Sequence, residues 1–179
     1  AFMLQNVFQS FFIAAEKPAI VAFVNAATST GAYQPGHDIC QAAHEHGALV
    51  IADCVTSLGG MPINVDECGI DIAYSGTQKA LGCPPGLAPI TCSPRAIEWL
   101  KARQTPSVSW YLDLRLLLDY YESAHRYHHT APISMFYALH ESLAIIAEEG
   151  LENRWARHKQ NHELFVAGLA EMGIATHVA

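Results

Sequence analysis

Ala48-Leu49-Val50-Ile51-Ala52-Asp53 is a continuous apolar run, rich in β-branched residues, that ends abruptly on a carboxylate. Such a run, short and without polar alternation, reads as a strand buried on both faces, as in a parallel sheet. Upstream, His37 to His46 carries Ile39, Ala42 and Ala43 at helical spacing, and Gly47 supplies the stop. Before that helix lies a second apolar run, Ala19 to Val24, followed by the polar loop Thr28-Ser29-Thr30-Gly31 and Gln34-Pro35-Gly36. Strand, helix and strand with short connections make a right-handed βαβ unit. Downstream, Ile70 to Tyr74 is a third short strand and Leu87 to Thr91 a fourth. Pro94 opens an amphipathic helix to about Lys101. The remainder turns helical over Leu112 to Tyr121, Ile133 to Glu148 and Leu151 to Met172, with Gly150 and Gly173 as stops. The fold class is α/β.

In open α/β sheets, ligands bind beyond the carboxyl ends of the strands. Asp53 stands at such an end, where a carboxylate is costly unless a cation or hydrogen-bond donors meet it. It fits a helix cap or an arginine partner, and equally a carboxylate facing a protonated pyridine nitrogen. The chain has four lysines. Lys17 precedes Pro18, while Lys101 and Lys159 lie on charged helix faces. Lys79 alone sits in a Gly- and Pro-rich loop between two strands, in Tyr74-Ser75-Gly76-Thr77-Gln78-Lys79-Ala80-Leu81-Gly82-Cys83-Pro84-Pro85-Gly86. A loop lysine is ordinarily a solvated surface residue; a nucleophilic one needs partial desolvation to lose its proton near neutral pH. Pairing with Asp53, one strand-loop-strand unit upstream, favours the second reading.

Several stretches together resemble the class V aminotransferases that use pyridoxal 5′-phosphate (PLP), and within them the alanine–glyoxylate and serine–pyruvate branch. They are Asp53-Cys54-Val55-Thr56-Ser57-Leu58-Gly59-Gly60, Gly69 to Leu81, Pro84-Pro85-Gly86, Arg126-Tyr127-His128-His129-Thr130, Glu141-Ser142-Leu143-Ala144 and Glu149-Gly150-Leu151-Glu152-Asn153. The likeness runs from about Lys17 to the end of the chain. It implies the large domain of the aspartate aminotransferase-like, fold type I architecture over residues 1–150. Residues 151–179 would then be a helix and first strand leading into a small C-terminal domain.

The resemblance also implies roles. Lys79 would hold PLP as a Schiff base and, once freed, shuttle a proton. Asp53 would bind the pyridinium nitrogen and Val55 would pack on a ring face. Thr28 would bond the phenolic oxygen, and Gln78 would reach the phosphate. Tyr127 and Thr130 would reach the phosphate bound in the partner subunit of a homodimer, so the site would be shared. The implied reaction moves an amino group from a small amino acid, alanine or serine, to a 2-oxo acid, glyoxylate or pyruvate. Alternatives are an aminophosphonate transaminase, a lyase or desulfurase on the same fold, or an incomplete copy with only a folding or dimerisation role. Thr77-Gln78 before the lysine argues against a desulfurase, which places a His there. The family usually carries a His and a Glu where Asn25 and Ala27 stand, so this wall of the site is expected to be less polar. The phosphate loop and the carboxylate-binding arginine of the family fall outside the chain, which is expected to be a piece of a longer polypeptide and inactive alone. Its first residue is Ala1, not Met, and Ile174 to Val178 begins what reads as a strand.

Composition narrows the partners. At 179 residues, 51% hydrophobic and 15% charged, the chain can build a real core. A formal charge of −7 with ten Lys and Arg argues against a nucleic-acid surface. No apolar run reaches the roughly 18 to 20 residues of a membrane span. Five widely spaced cysteines without a C-x-x-C pair read as reduced thiols. The expected location is therefore intracellular, the cytoplasm first, with peroxisome and mitochondrion as alternatives. The ten histidines form no strong metal motif: His158 and His162 are four apart but lack the glutamate beside the first. Cys54 and Cys83, which flank Lys79 and Asp53, read as packing residues, and Val7 to Ile13 as a buried helix or an interface, its Phe residues favouring the interface.

Overall fold

The computed structural model of the chain describes residues 20–105, 107–123, 126–176 and 178. The Val7 to Ile13 segment and Lys17 lie outside them. The sheet has four strands in sequential order: β1 (Ile20–Val24), β2 (Leu49–Asp53), β3 (Ile72–Tyr74) and β4 (Ile90–Cys92). β1, β2 and β3 are parallel, with Val24, Asp53 and Tyr74 in register across them. Helix α1 (Gly36–Glu45) makes the crossover between β1 and β2; it buries Gly36, Cys40 and Ala43, while Ala42, expected on the apolar face, is exposed. β4 is antiparallel to β3. A parallel return needs a crossover, usually a helix, and residues 75–89 contain none. Instead the chain doubles back, with Ser75 N donating to Pro89 O (2.9 Å) and Thr77 N to Leu87 O (3.3 Å). The fourth strand accordingly begins three residues later than the apolar run suggests.

The core forms where α1 packs on the middle of the sheet. It comprises Cys40 and Ala43 from the helix, Ala48, Val50 and Ala52 on and beside β2, and Cys54, Ile70 and Ala73. Val21, Phe23, Leu58, Ile63, Val65 and Cys68 close its edges. At the amino end of the sheet, buried Asp71 acts as a clasp. Its carboxylate accepts from Val50 N (2.9 Å), His44 Nε2 (3.0 Å), Ser93 Oγ (2.9 Å) and Arg95 Nη1 (3.4 Å). Arg95 also donates to the carbonyls of Gly47 and Ala48. Four donors on one carboxylate meet the cost of burying it.

A one-turn helix, α2 (Val65–Cys68), precedes β3; Asn64 caps it and Gly69, at φ 74°, ends it. Helix α3 (Pro94–Ala102) follows β4, capped by the Ser93 hydroxyl on Ala96 N (3.1 Å). Helix α4 (Leu114–Leu118) starts two residues inside the apolar run because Asp113 caps it, and it passes into a π-turn at Asp119–Ser123. Two long helices finish the chain, α5 (Ile133–Glu149) and α6 (Leu151–Glu171), joined at Gly150 with φ 79°. Ile174 to Thr176 continue without strand structure.

Candidate functional site

Three loops leave the carboxyl ends of β1, β2 and β3 together, because the strands end in register. Asn25 N donates to Asp53 O (2.9 Å), and Cys54 N to Tyr74 O (2.8 Å). Asp53 is 8% exposed, and two donors fix its carboxylate: Val55 N on Oδ1 and the Tyr74 hydroxyl on Oδ2, both at 2.9 Å. Burial first, and then the neighbouring Asp53 charge, pushes the Tyr74 phenol well above its ordinary range. Tyr74 therefore keeps its proton and acts as a donor. Each carboxylate oxygen can accept more than one bond, so the pair leaves Asp53 with capacity for a further donor.

The loop after β1 meets the loop after β2 through Thr28 and Thr56, whose hydroxyl oxygens lie 2.6 Å apart. Asn25, expected to line a wall of the site, instead lines a cavity with Tyr33, Pro35, Gly36, Pro62 and Ile63. The Asn25 side chain is buried (5% exposed), and its Oδ1 has no hydrogen-bond partner among the described residues. Its backbone N–H and carbonyl are both used, the latter by Gln34 N at 2.9 Å. Cys54 lies beneath Asp53. Burial raises its thiol to about 11, the Asp53 charge adds to this, and the Ser57 hydroxyl partly opposes it. A thiol held protonated is inert, in keeping with a packing role.

The loop after β3 carries Lys79. Ser75 Oγ donates to Cys54 O (3.2 Å), tying the start of this loop to the segment after Asp53. Thr77 is fully buried, and its hydroxyl donates to Pro84 O (2.7 Å) while Cys83 N donates to Thr77 O (3.0 Å). This closes a tight turn with Gln78 and Lys79 at its tip. At Gly76 a Cβ would fall 2.7 Å from Gln78 Oε1, so only glycine lets the Gln78 amide fold back here. The turn then packs on Gly59 and Gly60. A Cβ on Gly60 would stand 2.8 Å from that of Ala80, and one on Gly59 would stand 3.2 Å from Leu81 Cδ2. Lys79 itself is exposed, and among the described residues no hydrogen bond or ion pair engages its ammonium. The desolvation expected of a nucleophilic lysine is thus not supplied by the described residues, which cover only the side of the turn facing Gly59 and Gly60.

Among the residues singled out from the sequence, Thr28, Asp53 and Val55 come together at the strand ends, with Gln78 and Lys79 on the adjoining turn. Tyr127 and Thr130 stand apart. Their hydroxyls are 2.6 Å from each other, the Tyr127 ring lies 6.1 Å from that of Tyr120, and Tyr127 is 70% exposed. Among the described residues no hydrogen bond links them to Asp53 or Lys79. Beside them, His128 stacks on Trp110 with ring centroids 4.1 Å apart. Sequence reasoning did not single out Tyr74 or Thr56. Tyr74 had a usable signal, since it ends a strand adjacent to the one Asp53 ends. Among the described residues no group of three or more His, Cys, Asp or Glu side chains could hold a metal ion, and no helix is long and apolar enough to cross a membrane.

The sequence over residues 8–178 matches the family model described as aminotransferase class-V. An alanine–glyoxylate aminotransferase from Nostoc sp., of known structure, is 48% identical. It superimposes with a TM-score of 0.88 over 98% of this chain and 46% of its own. The alanine–glyoxylate aminotransferase of Oryctolagus cuniculus is 39% identical over 90% of this chain and 42% of its own length. The (S)-ureidoglycine–glyoxylate transaminase of Bacillus subtilis is 39% identical over 88% of this chain and 42% of its own. The chain thus spans less than half the length of these relatives.

Proposed function

Because the chain belongs to the class-V aminotransferase family, we propose that it is the lysine-bearing part of a PLP-dependent transaminase. The observation that carries this reading is Asp53, fixed by two donors at a strand end, next to a turn that presents an unengaged Lys79. These residues fit the cofactor. Asp53 has lone pairs left for a pyridinium nitrogen, and the exposed Lys79 amine is available to its aldehyde. Val55 would lie against a ring face, Thr28 would meet the phenolic oxygen, and Gln78 would meet the phosphate. When bound, the cofactor acts as an electron sink that makes the α-proton of an amino acid more acidic. The chain's own part is to orient and to move that proton. Asp53, kept in place by Val55 N and the Tyr74 hydroxyl, would hold negative charge toward the ring nitrogen. Lys79 Nζ would be the base that takes the α-proton.

The substrate pair is read as a small amino donor, alanine or serine, and a 2-oxo acid acceptor, glyoxylate or pyruvate. Glyoxylate is favoured, because it appears in the names of the rabbit, Nostoc and Bacillus relatives alike. Tyr127 and Thr130, exposed and, among the described residues, bonded through their hydroxyls only to each other, are read as a surface that reaches the phosphate of a partner subunit in a homodimer. The buried thiols of Cys40, Cys54 and Cys83 support a reducing, intracellular setting.

The test is a donor and acceptor screen on the protein carrying this chain, loaded with PLP. Formation of glycine from glyoxylate, matched by pyruvate from alanine, is the expected result. Elimination without amino transfer would overturn the transaminase reading and favour a lyase.

A further inference from the structure

Arg154 is the buried arginine of α6, at 9% exposure, and its guanidinium is spent on backbone. Nε donates to Gly59 O (3.1 Å) and Nη2 to Ala80 O (2.6 Å), while Nη1 pairs with Glu149 Oε2 (2.8 Å). Gly59 lies six residues beyond Asp53, and Ala80 directly follows Lys79. One planar fork therefore joins the segment after the carboxylate to the residue next to the lysine. Nearby contacts leave little slack. A Cβ on Gly60 would stand 2.8 Å from that of Ala80 and one on Gly59 3.2 Å from Leu81 Cδ2, and Ser142 Oγ donates to Leu81 O. Glu149 is itself gripped by Arg157, so the guanidinium of Arg154 has a fixed counter-charge.

We propose that Arg154, anchored by Glu149, is a positioning residue that sets the Lys79 turn against the Asp53 segment by bridging the Ala80 and Gly59 carbonyls. The proposal rests on the transaminase reading above. The Lys79 tip is exposed and, among the described residues, makes no side-chain bond of its own, so its location depends on the backbone beneath it. Lysine could not substitute, because a single ammonium lacks the fork that spans two carbonyls and a carboxylate.

The molecule supplies its own control. Arg95 clamps two carbonyls, those of Gly47 and Ala48, at the opposite end of the sheet. The experiment uses the PLP-loaded protein carrying this chain. It measures three things: the rate of cofactor capture on Lys79 after removal and re-addition of PLP, the visible spectrum of the bound cofactor, and the melting temperature. Arg154→Ala and Arg154→Lys are expected to slow capture by about tenfold or more, as a displaced reacting group does, and to alter the spectrum. Arg95→Ala is expected to lower the melting temperature while leaving capture within about twofold of the unaltered protein, since it acts far from the site. If Arg154→Ala does not fold, Arg154→Lys and Glu149→Gln decide the question by the same readouts. Unaltered capture and spectrum in folded Arg154 variants would overturn this assignment alone. Failure of the unaltered protein to capture PLP on Lys79 would instead overturn the functional reading beneath it.

Discussion

Asp53 and Tyr74 face each other across adjacent strands, and the chemistry of the site turns on which of them carries the proton. Burial and the carboxylate together keep the Tyr74 phenol protonated, so Tyr74 donates and Asp53 accepts. Replacing Asp53 by Asn removes the charge proposed to face the cofactor's ring nitrogen. Asp53→Asn should retain cofactor but slow α-proton abstraction by about a hundredfold or more, read by single-turnover kinetics. Unchanged turnover would remove Asp53 from the mechanism. Tyr74→Phe is milder, since Val55 N still holds the other oxygen. It should cost about 1 to 3 kcal/mol in denaturant unfolding, the range for losing a donor to a buried charged group. Asp53 and Lys79 stand out in the sequence as candidates because each breaks its setting, a carboxylate after an apolar run and a lysine among glycines and prolines. Tyr74 and Arg154 do not. A tyrosine ending a strand and an arginine on a long helix look ordinary until register and burial are known.

At the level of elements, the site is made by loops that touch backbone to backbone. Gly60 is the tightest approach between two of these loops, with Ala80 Cβ 2.8 Å from where its own Cβ would be. Gly60→Ala should therefore shift the Lys79 turn and destabilise the protein by about 1 to 3 kcal/mol, as overpacking does, measured by chemical denaturation. At the other end of the sheet Ser93 has two duties, capping α3 and bonding Asp71. Ser93→Ala should cost about 1 to 2 kcal/mol, the upper part of the range for a lost cap. The strands were readable because their runs are apolar, and the two long helices because Gly150 and Gly173 mark their stops. α2 was missed because four residues are too few for a helical period, although Asn64 and Gly69 mark its two ends. The start of β4 was misplaced because Leu87 and Pro89 are apolar yet spend their carbonyls on the lysine turn, not on the sheet.

Over the whole molecule, acid should act through two carboxylates outside the core. The Arg157 guanidinium, opposed by burial and joined by Arg154, holds Glu149 down at about 2 from an ordinary 4.5. The hydrogen bond from Arg115 likewise holds Asp113 at about 2 from 3.8. Groups whose folded value is depressed contribute stability that is fully present above their unfolded value and is lost as pH falls through the folded one. Stability should thus decline between about pH 4.5 and 2, and Glu149→Gln with Asp113→Asn should flatten that decline in pH-dependent melting. Glu149 also links this acid response to the site, because it anchors the arginine that ties the Lys79 turn to Gly59. The central claim remains that Lys79 holds the cofactor. Borohydride reduction of the PLP-loaded protein, followed by peptide mapping, tests it most directly. The label should be found on the peptide containing Lys79; label on Lys17, Lys101 or Lys159 instead, or on no lysine at all, would contradict it.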